Sequence, residues 1–248
     1  ILDTVVPAAP DIWLTTLQKF GTLSFGKVTE AAICLARDGF PMYPFMVEAM
    51  QSHFDDFKEL PGTAEIYSPG GALPKPGDLF VQAGLGRTLQ FLVDEEQAAS
   101  RGGRDAAIDA ARWAFYEGDI AAAIVKQQEE QGGFMTRDDL ASFRAEIEKP
   151  TRALFGDYEL YGCGPWCPGP MIIGAAQILS NMDLTRMGHN SAETIHAVAE
   201  ALKLSAADRE AYFGDPAQME VPLDKLLDPA YSRGRRDLIQ DNRAHPGL

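Results

Sequence analysis

The sequence has 248 residues, of which 46% are hydrophobic and 23% are charged, and this composition is typical of a globular protein that buries a sizeable core. Its formal net charge of −14 at pH 7 repels phosphate backbones and anionic lipid, so neither nucleic acid nor a membrane surface is an expected partner. No apolar run approaches the roughly 18 residues that indicate a membrane-spanning helix.

The first residue and the cysteine content leave the compartment open between cytoplasm and periplasm. The chain begins at Ile1 rather than at Met, so we expect that a leader was removed or that the N-terminus lies upstream. The three cysteines are Cys34, Cys163 and Cys167. An odd, sparse count is not typical of a disulfide framework, so reduced thiols are the favoured interpretation and a Cys163–Cys167 bridge is the alternative.

The first third of the sequence is predicted to be helical. The spacing of its apolar residues predicts three helices, over residues 11–20, 24–37 and 44–57. Gly21 and Gly39 stand where the first two of these end. Turn-forming residues predict a long surface loop over 60–78, and a polar stretch predicts a second break over 94–104.

Helices resume after the second break and continue to the last third of the chain. They are predicted over residues 105–116, 120–131, 136–143, 171–181 and 190–213. Asp119 is placed to cap the second of these helices. Thr136 and Asp139 have the spacing of a capping box, and Asn190 followed by Glu193 predicts the cap of the last helix.

One β-hairpin is predicted between these helices, because β-prone runs at 151–155 and 158–161 flank Gly156 and Asp157. Strands and helices do not alternate, which favours an α+β fold over a doubly wound sheet. A single hairpin cannot form a core, so we expect its strands to join a sheet supplied by residues outside this chain. Residues 1–248 are interpreted as a single domain.

The histidines do not indicate a metal site. His189 and His196 are seven residues apart, but no Asp or Glu lies beside them at the spacing of a metal ligand, and surface or capping roles are favoured. The sequence also has no P-loop, no dinucleotide-binding glycine motif after a strand and no nucleophile elbow. We therefore expect no metal, no cofactor and no complete active site in this chain.

Two further groups of residues have a catalytic and a structural interpretation. Cys167 precedes a predicted helix, whose N-terminus favours a thiolate, but a buried small thiol in a tight turn is the favoured interpretation. On the 190–213 helix, Glu200, Lys203, Asp208 and Arg209 are charged residues within an otherwise apolar stretch. A buried ionic network is favoured over catalysis for these four.

Many short segments occur in an order and spacing that match one family across nearly the whole chain. They are 6–7 (VP), 17–23 (LQKFGTL), 31–33 (AAI), 40–41 (FP), 115–121 (FYEGDIA), 132–133 (GG), 138–140 (DDL), 156–158 (GDY), 188–191 (GHNS), 200–204 (EALKL), 207–209 (ADR), 214–216 (GDP), 221–222 (VP) and Tyr231. Together they resemble the large subunit of the γ-glutamyltransferases and their acylase relatives.

The resemblance implies the mostly helical large-subunit part of an αββα N-terminal-nucleophile hydrolase sandwich. It also implies a precursor that cuts itself before a threonine, so that the large subunit keeps a small subunit as its partner. The new N-terminal Thr would be the nucleophile, with its own amino group as base. This residue is expected beyond Leu248, so no catalytic residue is expected in this chain, and the substrate would be a γ-glutamyl peptide such as glutathione or another small-molecule amide.

The sequence also departs from the family pattern. The Pro-Pro-Pro-Ser-Ser-Gly-Gly loop of the family corresponds to 164–170 here (GPWCPGP), and Ala8 stands where a glycine is usual. The arginine that holds the substrate carboxylate is expected upstream of this chain. Trp166 and Cys167 are therefore the residues predicted to line the substrate pocket, with a purely structural turn as the alternative.

Three functions follow from these observations. The favoured one is the large subunit of a γ-glutamyltransferase-like amide hydrolase or acyltransferase. The second is a catalytically inactive homologue that acts as a binding or structural protein. The third is a thiol enzyme that uses Cys167, in which a Cys167→Ser variant would be inactive.

Overall fold

The structure is a computed structural model that describes residue 2 and residues 4–246. The chain divides into two compact units, residues 1–146 and residues 147–248. Helices dominate both units and the strands form two antiparallel pairs, so the predicted α+β class is confirmed. That residues 1–248 form a single domain stays a prediction.

The first unit contains nine α-helices and one short strand pair within its described residues. The helices are α1 (Ala9–Phe20), α2 (Phe25–Asp38), α3 (Pro44–Ser52), α4 (Phe54–Lys58), α5 (Pro61–Tyr67), α6 (Ala83–Ala98), α7 (Arg104–Tyr116), α8 (Asp119–Gln131) and α9 (Arg137–Ser142). The strands β1 (Phe40–Pro41) and β2 (Leu79–Phe80) pair antiparallel, with Phe40 opposite Phe80.

The main core of the first unit forms where α6 and α7 pack against α1, α2 and α8. Leu14, Phe25, Leu92, Ile108 and Leu140 are fully buried there. Burying each such side chain contributes roughly 1.5–3 kcal/mol to folding. These residues come from five helices, whose apolar faces converge on one core.

A buried carboxylate joins α6 to the start of α2. Glu96 accepts hydrogen bonds from the backbone N–H groups of Phe25 at 2.6 Å and of Gly26 at 2.8 Å. These N–H groups have no partner within their own helix, and a negative charge at a helix N-terminus is stabilising. A Cβ at Gly26 would lie 2.8 Å from Val93 Cγ1, so glycine permits the close approach of the two helices.

The second unit places a hairpin beside a helical layer. Its elements are β3 (Thr151–Phe155), β4 (Tyr158–Gly162), α10 (Gly169–Leu179), α11 (Leu184–Met187), α12 (Ala192–Tyr212), α13 (Leu223–Leu226) and α14 (Pro229–Arg236). The predicted hairpin is confirmed, with Thr151 opposite Gly162 and Phe155 opposite Tyr158. α10 packs against α12, α14 and both strands.

The charged residues of α12 largely form the predicted buried network. Glu200 is buried and accepts hydrogen bonds from Lys203 Nζ at 2.7 Å and from the backbone N–H of His245 at 2.9 Å. Asp208 is also buried and accepts a hydrogen bond from Tyr231 Oη at 2.8 Å. Its other partner is Arg235.

Arg209 is the exception, because its side chain is exposed and pairs with the adjacent Glu210. The prediction of a buried role was therefore wrong for this residue. It stands next to Asp208 in sequence, and neighbouring residues of a helix point in different directions.

Two predicted breaks are partly helical. The stretch 60–78 contains α5, because Pro61 provides the fixed backbone angle that favours a first helical turn. The stretch 94–104 lies largely in α6 and a short 3₁₀ turn at Ser100–Gly102, since Glu96 is anchored inside the fold. The predicted helix over 44–57 is interrupted at His53, whose φ of −120° and ψ of 16° leave the helical range.

Two predicted caps also differ from those in the structure. Gly118 rather than Asp119 occupies the cap position of α8, and no side chain caps that helix. Ser191 caps α12 by accepting from the Thr194 N–H at 3.1 Å, while Asn190 has a positive φ of 55° and lies outside the helix. Asparagine tolerates this left-handed conformation, and serine is a good cap. The capping box of Thr136 and Asp139 is confirmed.

Candidate functional site

The residues predicted to line a pocket lie in a short loop, residues 163–168, that leads from β4 into α10. Trp166 is 60% exposed and Cys167 is half-buried, whereas Gly164 and Pro165 are buried. The loop therefore presents an indole and a thiol next to each other on a buried base. The structure places both predicted residues at one site.

Glu148 fixes the orientation of this loop. Its Oε1 atom accepts hydrogen bonds from the Trp166 indole Nε1 at 2.7 Å and from the Gly164 backbone N–H at 3.1 Å. A charged acceptor makes these bonds stronger than neutral ones. A Cβ at Gly164 would come within 2.9 Å of the same carboxylate, so glycine makes room for it. Sequence reasoning missed Glu148, because the residue lies 18 positions before Trp166 and belongs to no motif.

The backbone of the loop is also tied internally. The Cys167 N–H donates to the Gly164 carbonyl at 3.2 Å, and Thr151 Oγ1 donates to the Cys163 carbonyl at 3.0 Å. A Cβ at Gly169 would lie 2.7 Å from the Cys163 carbonyl oxygen, so the start of α10 packs directly on the end of β4. These contacts give Cys167 the tight turn that was favoured from the sequence, but the residue is half-buried, so the expectation of a buried thiol was wrong.

The loop carries two of the three cysteines, and all three are free thiols. The pKa of the Cys163 thiol is raised above its ordinary value, chiefly by its hydrogen bond with the Cys167 side chain and by the charge of that neighbour. Burial and the nearby Glu148 carboxylate act in the same direction. The Cys167 side chain therefore makes the Cys163 thiol harder to ionise.

The histidines are not brought together on one helix face. His189 lies in the turn before α12, while His196 lies on α12 and its Nε2 contacts the Gln240 carbonyl at 2.7 Å. Within residue 2 and residues 4–246, no three His, Cys, Asp or Glu side chains form a group that could hold a metal ion. In the same part of the chain, no helix has both the length and the apolar content needed to cross a bilayer.

In the first unit, two of the segments that carry the family resemblance meet at a buried polar network. Tyr116 Oη donates to the Pro7 carbonyl at 2.5 Å and accepts the Asp11 backbone N–H at 3.1 Å. The Asp11 carboxylate in turn accepts from Arg112 Nε at 2.5 Å and from the Ala145 N–H at 2.6 Å. Burial, the largest cause, raises the pKa of Tyr116 to about 12.

This network joins the Val-Pro segment at residues 6–7 to the segment at 115–121, which are more than one hundred positions apart. A family model described as gamma-glutamyltranspeptidase matches residues 2–247. The chain belongs to the γ-glutamyltranspeptidase family.

Relatives of this γ-glutamyltranspeptidase-family chain include two curated bacterial proteins. It is 33% identical over 228 residues to the glutathione hydrolase-like YwrD proenzyme of Bacillus subtilis, covering 92% of this chain and 41% of the relative. It is also 33% identical over 240 residues to the acylase ACY 1 proenzyme of Pseudomonas sp. strain SE83, covering 96% and 40%. The chain thus spans about two fifths of the length of these relatives.

A solved structure has the same fold. The γ-glutamyltranspeptidase of Helicobacter pylori superimposes with a TM-score of 0.82 at 28% identity, over 94% of this chain and 63% of the other. The resemblance inferred from the sequence segments is therefore confirmed. The role of Trp166 and Cys167 in a substrate pocket stays a prediction for this family member.

Proposed function

We propose that this chain is the large-subunit part of an amide hydrolase or acyltransferase that uses an N-terminal threonine on a separate small subunit. The observation that carries the proposal is the match to the family model over residues 2–247. The proenzyme names of the two curated relatives support processing into subunits.

The chemistry of the proposed nucleophile explains why this chain needs no catalytic residue of its own. A threonine hydroxyl is a weak nucleophile until a neighbouring base takes its proton, and the free α-amino group at the same residue is such a base. The acyl-enzyme formed by attack on an amide is then released to water or to an amine acceptor. The large subunit would contribute the shape of the substrate pocket.

We propose that Trp166 and Cys167 form part of that pocket wall. Trp166 offers a large apolar surface whose position is set by Glu148, and a side chain held in advance loses little entropy when a substrate binds. The substrate class is a small-molecule amide. The relatives' names describe a glutathione hydrolase-like protein and an acylase, so both γ-glutamyl and other acyl amides belong in the screen.

We also propose that the hairpin pairs with strands of the small subunit. β3 and β4 pair only with each other among the described strands. Leu154, Tyr158 and Tyr161 are exposed on them. Unpaired strand edges and exposed apolar side chains are typical of a sheet that is completed by further strands.

The first test is the intact mass and N-terminal sequence of every polypeptide in the purified full-length protein. We expect two chains, of which the one that does not contain this sequence begins with Thr. An uncut chain, or a second chain that does not begin with Thr, Ser or Cys, would contradict this mechanism. The protein would then be assigned as a catalytically inactive homologue that binds rather than hydrolyses.

The second test separates a pocket role from a thiol mechanism. We expect Trp166→Phe to raise KM for the amide substrate several-fold, while Trp113→Phe, another exposed tryptophan, leaves KM unchanged. Cys167→Ser should have a modest effect on kcat. Complete loss of activity in Cys167→Ser, with normal cleavage of the precursor, would instead assign the nucleophile to Cys167.

A further inference from the structure

The loop at 163–168 brings Cys163 and Cys167 close together in the fold. The hydrogen bond from the Cys167 N–H to the Gly164 carbonyl closes a four-residue turn. Such a turn keeps the Cα atoms of its two ends within about 7 Å of each other. Cys167 is the last residue of this turn and Cys163 directly precedes its first residue, so the two cysteines stand at opposite ends of the turn.

Gly169, the first residue of α10, packs closely on the backbone of Cys163. An ideal Cβ at Gly169 would lie 2.7 Å from the Cys163 carbonyl oxygen and 2.8 Å from its nitrogen. Only Pro168 separates Gly169 from Cys167. The chain therefore returns to Cys163 immediately after Cys167, which agrees with the short Cα separation that a disulfide requires.

Both thiols are also accessible to solvent. Cys163 is exposed and Cys167 is half-buried, so a small reagent can reach the pair. The Cys167 side chain also raises the pKa of the Cys163 thiol, which agrees with the close approach of the two residues. Cys34 is exposed on α2, in the other unit, and serves as an isolated thiol for comparison.

We propose that Cys163 and Cys167 form a reversible disulfide by exchange with a small-molecule disulfide. A thiolate of the pair attacks one sulfur of the small disulfide, forms a mixed disulfide and expels one small thiolate. The second cysteine loses its proton to solvent, attacks the protein sulfur of the mixed disulfide and expels the second small thiolate. The two cysteines lose two electrons in total, and the small disulfide is reduced to two thiols.

The position of the bond predicts that it is readily reversed and that it acts on Trp166. An exposed disulfide is more easily reduced than a buried structural one. The ring closed by the bond contains Gly164, Pro165 and Trp166, so oxidation restrains the residues that Glu148 already holds. This modification is measured on the sulfur atoms themselves and does not depend on the amide chemistry proposed above.

The test treats the full-length purified protein with glutathione disulfide, blocks free thiols by alkylation and maps the peptides by mass spectrometry. We expect a peptide with an internal Cys163–Cys167 link to become the main form of this segment, and dithiothreitol to restore two alkylated cysteines. Cys34 should carry only an alkyl group or a mixed disulfide. Trp166 emission should fall on oxidation and recover on reduction, a change that Trp166→Phe removes.

The single variants complete the test. In Cys163→Ser and in Cys167→Ser we expect the remaining cysteine to stop at the mixed disulfide with glutathione, while Cys34→Ser forms the internal link normally. The proposal is overturned if the unaltered protein shows no internal link after oxidation. A mixed disulfide that persists on either loop cysteine of the unaltered protein would overturn it as well.

Discussion

Tyr116 Oη donates a 2.5 Å hydrogen bond to the carbonyl oxygen of Pro7, and this contact fixes the segment that precedes α1 to the end of α7. The same oxygen accepts the Asp11 backbone N–H, so one phenol satisfies a buried donor and a carbonyl. Tyr116 is fully buried. Pro7 and Tyr116 belong to two separate segments that carry the family resemblance, and this hydrogen bond joins the two segments directly.

Replacing Tyr116 with Phe should therefore destabilise the first unit. The substitution keeps the ring but leaves the Asp11 N–H without its partner, which costs about 1–3 kcal/mol. The free energy of unfolding in urea is the measurement. Tyr43→Phe is the matched control, since Tyr43 is exposed in the same unit and we expect it to change stability little. Equal effects of both substitutions would contradict this account.

The ionisation of Tyr116 predicts a loss of stability at alkaline pH. Burial raises the pKa of its phenol to about 12 in the folded protein, above the value of about 10 that an unfolded chain has. The folded state therefore retains this proton more tightly. The resulting contribution to stability is complete below the unfolded pKa and is lost as pH rises toward the folded pKa.

Unfolding measured at about pH 8 and about pH 11 tests this ionisation. We expect the decline between the two pH values to be smaller in Tyr116→Phe than in the unaltered protein. The phenolate absorbance that Tyr116→Phe removes should appear at a higher pH in the folded protein than in the unfolded protein, because burial raises the pKa of this phenol. The same decline in both proteins would exclude Tyr116 as its source.

Arg112 provides a direct comparison of a buried and an exposed ion pair. It bonds Asp11, whose side chain is 1% exposed, and Asp109, whose side chain is 59% exposed. Asp11→Asn should cost about 3–5 kcal/mol, because it leaves a largely buried guanidinium without its main counter-charge. Asp109→Asn should cost less than about 1 kcal/mol, since solvent screens that pair. Thermal unfolding of the two variants, side by side, measures the difference, and equal losses would contradict it.

Glu200 predicts a loss of stability in acid. Its hydrogen bond to Lys203 is the largest cause that lowers the pKa of its carboxyl group, and the N–H of His245 acts in the same direction. A lowered folded pKa gives stability that is present above the unfolded pKa and is lost as pH falls through the folded one. The stability gap between the unaltered protein and Glu200→Gln should therefore shrink from neutral pH to about pH 4. A gap that stays constant in urea titrations would rule this out.

Gly169→Ala should strain the loop that carries Trp166. Its new Cβ would lie 2.7 Å from the Cys163 carbonyl oxygen, a contact that only a backbone shift can relieve. Overpacking of this kind costs about 1–3 kcal/mol. Gly214→Ala, in the same unit, has no atom within 4 Å of the added Cβ and should be nearly neutral. Denaturant unfolding of both variants is the measurement, and a neutral Gly169→Ala would show that the loop adapts freely.

The sequence by itself determined the family and several of the local elements. The spacing of apolar residues predicted α1, α2, α7 and α10 to within a few residues, because that spacing records which face of each helix is buried. The two strands around Gly156 followed from turn chemistry, and Gly156 has the positive φ of 58° that such a turn uses. The ordered segments then predicted the family that the comparisons confirmed.

Only the tertiary structure decided which distant groups meet. Glu96 lies in a stretch that was predicted as a polar break, yet it is buried on α6 and accepts a hydrogen bond from the start of α2. Glu148 orients Trp166, although no sequence motif pointed to this residue. No sequence pattern predicted the hydrogen bond between Tyr116 and Pro7 either. The physical reason is that periodicity reports burial along one element, whereas a buried polar group is stable only with a partner that another element supplies.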